Sequence, residues 1–505
     1  MNRLILLVAV LILLSCGKEK QTLHEALYVE PHRPQIHFSP PENWMNDPNG
    51  MVFHKGVYHL FYQYYPDSTV WGPMHWGHAT TDDLVHWENH PIALYPDSLG
   101  YIFSGSAVVD EKNSSGFGKE GQIPLVAIFT HHNPKAEKES PMTVENQSIA
   151  FSLDDGNTWT KYEGNPVLKN PGVRDFRDPK VFWHEAGKKW IMTLAASDQI
   201  MFYSSPNLKT WIKESEFGKE FGAHGGVWEC PDLFPLQYNG ETIWVLIVNI
   251  NPGGPNGGSA TQYFTGQFDG KTFTPYQTDT RWADYGPDDY AGVTWSNTGA
   301  RKIFFGWMSN WHYANVVPTV KWRSAATLAR DLTLEKIGDR YFLRSLPVEE
   351  IRKIAGAPIV LENLAGDNLD LSQKIGNLTG PARLQITSDT IQTFSITVSN
   401  QSGEKILIGY DKGSNGYFID RSSAGNVSFA DGFSGRHTAP RLSQDQRLVL
   451  DIIIDNASVE LFADGGLSVM TSIYFIDAPF TNTHIESEGL NIKTVTYTPL
   501  SPIWK

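Results

Sequence analysis

The chain has 505 residues, more than one ordinary hydrophobic core accommodates, so two domains are expected. A formal charge of −14 sets it against polyanions, which excludes nucleic acid as a partner and suits a neutral substrate. With only Cys16 and Cys230 a disulfide framework is excluded, and 12% aromatic residues with 44 Gly and 30 Pro point to a turn-rich, all-β protein.

The N-terminus carries Arg3, an apolar run from Leu4 to Leu14, and then Ser15-Cys16. That run is too short for a permanent membrane span and has the length of a signal-peptide core. Leu13-Leu14-Ser15-Cys16 resembles a bacterial lipobox. Residues 1–15 are therefore expected to be removed, Cys16 to carry the lipid and 16–30 to form a polar tether. The expected product is an exported, membrane-anchored lipoprotein that touches the membrane only through that lipid, facing either the periplasm or the exterior.

Further along, polar turns closed by an aromatic recur: Thr81-Asp82-Asp83-Leu84-Val85-His86-Trp87, Ser152 to Trp159, Ser205 to Trp211 and, more weakly, Phe268 to Phe273. Their spacing of roughly 50 to 70 residues suits the blades of a β-propeller with long loops. Between them lie short β-rich runs such as Val57–Tyr62, Lys189–Leu194 and Ile243–Val248.

A second recurrence places an acid just before an apolar strand, in Asp47-Pro48-Asn49-Gly50, Asp178-Pro179-Lys180 and Glu229-Cys230-Pro231-Asp232. The first strand of a propeller blade lines the central channel, so these distant acids are expected to converge on one axial pocket. The propeller is expected over 31–334. Residues 335–356 read as a charged linker with helical character. Alternating strands separated by Gly, Asn and Asp turns then predict a β-sandwich over 357–505.

Trp44-Met45-Asn46-Asp47-Pro48-Asn49-Gly50 resembles the signature of glycoside hydrolase family 32, the invertases, inulinases and levanases. The likeness continues through Phe103-Ser104-Gly105-Ser106, Phe176-Arg177-Asp178-Pro179-Lys180, Trp228-Glu229-Cys230-Pro231-Asp232, Gly306-Trp307-Met308-Ser309-Asn310-Trp311 and Val459-Glu460-Leu461-Phe462. It implies five blades followed by a sandwich, and the texture is that of levanases and exo-inulinases.

The chemistry explains the acids. Cleaving a fructosidic bond passes through an oxocarbenium-like state, in which one carboxylate attacks the anomeric carbon and a second delivers a proton to the leaving oxygen. By resemblance Asp47 is the nucleophile, Glu229 the acid/base and Asp178 the third acid, which binds fructose hydroxyls. Arg177 supplies a compensating charge. Asn46, Gln63, Trp71, Phe103 and Ser104 match positions lining the terminal fructose site, and Trp311 is a further wall. Asp284, in Asp284-Tyr285-Gly286, resembles a segment beside the leaving-group subsite, although Pro287 follows where sucrose-cleaving plant relatives tend to have Lys. At Ala329-Arg330-Asp331-Leu332 many relatives have Pro-Arg-Glu-Leu.

His75 and His78 lack a third ligand in any known metal pattern, so structural roles are expected and no metal or other cofactor is required. The expected activity is a retaining hydrolase releasing fructose from β-2,6 or β-2,1 fructans and from sucrose. An endo-levanase on the same scaffold and a non-catalytic surface fructan-binding protein are the alternatives. Sequence sets neither the linkage nor the oligomeric state.

Overall fold

The computed structural model describes residues 28–504 except 120, 141 and 379, so the expected signal segment and Cys16 lie outside the described residues. The regular structure of the described chain is almost wholly strand, in seven sheets. Five of these open on an inner strand: Asn43–His54, Tyr101–Val109, Phe176–His184, Val227–Tyr238 and Tyr290–Thr294. Each inner strand packs against the next, and Tyr290–Thr294 packs back against Asn43–His54. Trp322–Arg323, on the connection between strands of the fifth sheet, pairs in parallel beside Asn43–His54 in the first.

Local sequence explains the meanders. Lys55-Gly56 closes the first hairpin with both residues at positive φ, 49° and 87°, as a tight two-residue turn demands. The recurrent polar turns join third to fourth strands through one device. The side-chain oxygens of Asp83, Asp154, Asn207 and Asp269 accept backbone N–H groups two to four residues on. The aromatic that closes each turn fills the seam to a neighbouring sheet: Trp159 meets Phe61 edge-on at 5.4 Å, Trp87 meets Phe305 at 5.7 Å and Phe273 meets Phe217 at 5.2 Å.

The stretch expected as a linker is corrected by the structure. Arg330–Ile337 and Arg340–Pro347 form a hairpin that completes the fifth sheet, followed by a 3₁₀ turn at Glu349–Ile354. Its period-2 apolar residues Leu332, Leu334, Tyr341 and Leu343 are buried against the fourth sheet, while charges on the outer face give the linker-like composition.

After residue 357 two six-stranded sheets share one apolar core, with Leu384, Ile386 and Ile452 from one sheet meeting Ile396, Val398 and Ile408 from the other. This unit docks on the five-sheet unit through two apolar patches. Ile36, Ile351, Phe462 and Leu500 meet in one, Met308, Val317, Phe433 and Phe475 in the other. Trp504 stacks on Tyr28 at 3.7 Å, so the last tryptophan is a packing residue.

A buried ion network also crosses this junction. Arg330 holds Asp284 at 2.9 Å, Asp289 at 3.0 Å and Glu460 at 2.6 Å, and His37 lies between Asp455 at 2.7 Å and Glu460 at 2.8 Å. Each partner is fully or almost fully buried, where removing one would strand the others. The Arg330 contacts explain why the Ala329-Arg330-Asp331-Leu332 segment is fixed at this junction.

Candidate active site

All five inner strands carry a β-bulge at the same level. One extra residue enters at 46–47, 103–104, 178–179, 230–231 and 291–292 relative to the second strand of each sheet. Asp178, Cys230 and Ala291 adopt positive φ there, at 63°, 43° and 53°. A bulge re-aims side chains that would otherwise point into the sheet packing. The acids thus lie within the strands, not ahead of them, and at staggered positions. Glu229 is the last paired residue before its bulge, while Asp178 and Asp47 are inside theirs.

The side chains meet in a cavity of about 420 Å³ lined by Asn46, Asp47, Gln63, Trp71, Phe103, Ser104, Arg177, Asp178, Glu229 and Trp311. A larger cavity of about 750 Å³ lies at the far end of the inner strands, but its buried charges Lys180 and Asp232 are paired with each other at 3.2 Å. The three carboxylates line the smaller one.

Asp47 is held on both oxygens. Asn46 donates to Oδ1 at 2.8 Å and is itself oriented by the Trp44 indole at 2.8 Å, while Ser104 donates to Oδ2 at 2.7 Å. Gly105, next to Ser104, has no room for a side chain, since a Cβ would meet the Ile128 carbonyl at 2.0 Å. The Cys230 thiol bridges Asp47 and Asp178 at 3.5 and 3.6 Å, and the Cys230 N–H donates to Asp178 at 3.0 Å.

Glu229 is clamped from one side by Arg177, whose Nε and Nη2 both donate to Oε1 at 3.1 and 2.9 Å, and from the other by the Tyr290 hydroxyl on Oε2. Arg177 is positioned in turn by Asp175 at 2.8 Å and Glu145 at 3.1 Å.

Withdrawal from water and the nearby Glu229 charge push Asp47 above the usual carboxylate range, while hydrogen bonds from Ser104, Asn46 and Cys230 work against the rise. Asp178 is pushed well above it by burial, which Arg177 opposes and the Glu229 and Asp47 charges reinforce. Asp47 and Asp178 therefore each hold a proton more tightly than a free carboxyl does. Burial and the same carboxylates drive the Cys230 thiol up, so it stays protonated as a donor.

The aromatic walls are built outward from this floor. Phe103 stacks on His132 at 4.3 Å and meets Trp71 edge-on at 6.1 Å; Trp71 is 40% exposed at the rim. Gln63 is fixed by donating to the Ile102 carbonyl at 3.0 Å. Trp311 stacks on Trp44 at 5.8 Å.

Asp284 is the exception among the expected residues. It is 1% exposed and lies at the junction between the units, accepting from Arg330 at 2.9 Å and from the Thr471 hydroxyl at 2.6 Å. Its short acidic turn is satisfied by the second domain, not by the pocket. In turn, sequence reading passed over Tyr290, Glu145, His132, Asp175, Asn251 and Asn315, which clamp the acids or line the cavity. For Asn251 the position at the end of a strand, just before the Pro252-Gly253-Gly254 loop, was an available signal.

Comparison with known proteins gives the following matches. The profile of the glycosyl hydrolases family 32 N-terminal domain matches residues 37–345, and that of the family 32 C-terminal domain matches 357–499. The chain is 44% identical to a levanase of Bacillus subtilis over 98% of its own length and 74% of the levanase. It is 40% identical to an extracellular exo-inulinase of Aspergillus niger, covering 92% of this chain and 94% of that protein. The crystal structure of an exo-inulinase from Aspergillus awamori superposes with a TM-score of 0.87 at 36% identity, over 94% of this chain and all of the other.

Proposed function

The chain belongs to glycosyl hydrolases family 32, and from that premise we propose that it is a retaining β-fructosidase that removes fructose from β-2,6 or β-2,1 fructans and from sucrose. The observation that carries this reading is the meeting of Asp47, Asp178 and Glu229, from three different sheets, in one polar cavity. The levanase and exo-inulinase relatives support the substrate class.

Asp47 attacks the anomeric carbon of the terminal fructose as the glycosidic bond breaks, and Glu229 gives its proton to the departing oxygen. A covalent fructosyl ester on Asp47 results. Water then attacks the same carbon, Glu229 takes up the water proton, and the ester bond to Asp47 breaks to release fructose. The Ser104 and Asn46 donors hold Asp47 in line for attack, while Arg177 and Tyr290 keep Glu229 on the leaving-group side. Asp178 binds fructose hydroxyls, and Gln63, Trp71, Phe103 and Trp311 wall the ring.

The ring of contacting inner strands supports a five-bladed β-propeller over about residues 31–347, followed by a short connection and a β-sandwich from 357. Attachment through a lipid on Cys16 follows from the lipobox-like N-terminus, and the extracellular relatives support export.

The experiment is product analysis by chromatography on levan, inulin and sucrose. Fructose as the sole early product is expected. A ladder of oligosaccharides would assign endo cleavage instead, and binding of fructan without any release would make the protein a non-catalytic binder.

A further inference from the structure

Three residues that line the cavity, Asn251, Trp311 and Asn315, sit on two loops, residues 251–259 and 309–317, that leave the fourth and fifth sheets. The loops are locked together. The Ser259 N–H donates to the Asn310 Oδ1 at 3.4 Å, and the Trp311 N–H donates to the Ser259 hydroxyl at 3.1 Å. Asn315 in turn accepts the Trp71 N–H at 2.9 Å, tying this pair to the opposite rim.

Both loops are also held from the C-terminal two-sheet unit. Asn256 donates to the Thr438 carbonyl at 2.9 Å and accepts the Thr438 N–H at 3.1 Å, continuing the edge of strand Arg436–Pro440. Arg421, with no exposed surface, bonds to Asp288 at 2.6 Å and to the Tyr313 hydroxyl at 3.0 Å, and its guanidinium lies 3.8 Å over the Phe433 ring. Tyr313 also donates to Asp288, and Asp288 accepts the Ile473 N–H at 3.0 Å. A buried guanidinium with a planar fork fixes direction as well as position.

We infer that the C-terminal unit sets the rim of the substrate pocket from behind, with Arg421 and the Asn256–Thr438 clasp as positioning groups that act through Asn251, Trp311 and Asn315. This deepens the fructosidase reading and rests on it for the substrate. The reacting carboxylates sit on inner strands that the clasp does not touch, whereas the rim loops carry Asn251, Trp311 and Asn315, which wall the bound sugar without reaching the reacting bond. Loosening the clasp therefore weakens substrate binding more than it slows bond cleavage.

The test uses the full chain with Asn256→Ala, a half-buried surface position, and Tyr313→Phe, which keeps the ring and loses the hydroxyl. Hydrogen exchange is followed in peptides covering both loops, and kinetics are measured on an inulin-type oligosaccharide. Faster exchange in both loops, with KM raised about fivefold and kcat within about twofold, is expected in Asn256→Ala. Unchanged loop exchange in both folded variants would overturn the inference whatever the substrate proves to be, as would faster exchange with KM unmoved on a substrate the wild type cleaves. Faster exchange in a protein whose wild type cleaves no fructan would uphold the clasp and overturn only the substrate reading.

Discussion

Arg177 places two nitrogens, Nε and Nη2, on the single oxygen Oε1 of Glu229, leaving Oε2 to Tyr290. The fork pins Oε1, and with Tyr290 on Oε2 the carboxyl group is held at both oxygens; a lysine offers no such fork. Arg177→Lys is therefore expected to lower kcat about a hundredfold through misplacement of the Glu229 carboxyl group. Glu229→Gln and Asp47→Asn each remove a role the other cannot fill and should reduce turnover by several orders of magnitude. An activated fructoside with a good leaving group should restore the first step in Glu229→Gln alone, and the initial burst of leaving group measures it.

Asp178 offers a trade between stability and activity. Its native carboxyl holds a proton more tightly than it would in the unfolded chain. The sign follows from linkage: stability from that proton is complete below the unfolded value of about 4 and is lost as pH rises through the raised native value. Asp178→Asn removes the cost of ionisation, so its Tm should exceed that of the wild type at pH 7 by about 2–4 °C. The gain should vanish below about pH 4, while turnover falls about a thousandfold, or roughly 4 kcal/mol of transition-state binding. Calorimetry across pH checks the first part; a Tm below wild type at pH 7 would contradict it.

The contribution of His37 also falls as pH rises. Although burial disfavours its charge, hydrogen bonds to Asp455 and Glu460 raise it to about 9. Its contribution is complete below the unfolded value of about 6.5 and is lost as pH rises through about 9. His37→Gln should cost about 3 kcal/mol at pH 6 and distinctly less at pH 9.5. Denaturant titrations at the two pH values test this, and a cost independent of pH would argue against a charged histidine.

The anchor is separable from catalysis. If Cys16 carries the lipid, Cys16→Ser should move activity from the membrane fraction to the soluble fraction with kcat unchanged. Retention in the membrane would refute the lipid.

Much of this site was legible in sequence because its acids sit in compact motifs, and Asp47, Asp178 and Glu229 do share one cavity. The four polar turns were legible for a similar reason, since an Asx turn is written in adjacent residues. Tyr290 was not, because Tyr-Ala-Gly-Val-Thr reads as a plain buried strand and only the bulge at Ala291-Gly292 brings its hydroxyl to Glu229. Asp284 was misplaced because its partners, Arg330 and Thr471, are 46 and 187 residues away. The hairpin over 330–347 was hidden by charges on its outer face, where solvent tolerates any polar residue.

The bulges repeated in the five inner strands have a consequence for engineering. They act as five sockets of similar shape, and the chemistry depends on what is plugged into each: acids around three of them, Ser104 in the second and Ala291-Gly292 in the fifth. Because the backbone kink belongs to the strand pairing and not to the acid, a side chain can be exchanged at a socket without redrawing the sheet. Ser104 is the natural first choice. Its neighbour Gly105 keeps the Ile128 carbonyl clear, and its hydroxyl already points at Asp47, so Ser104→Thr or Ser104→Ala would retune the surroundings of Asp47 while the frame that aims it stays the same.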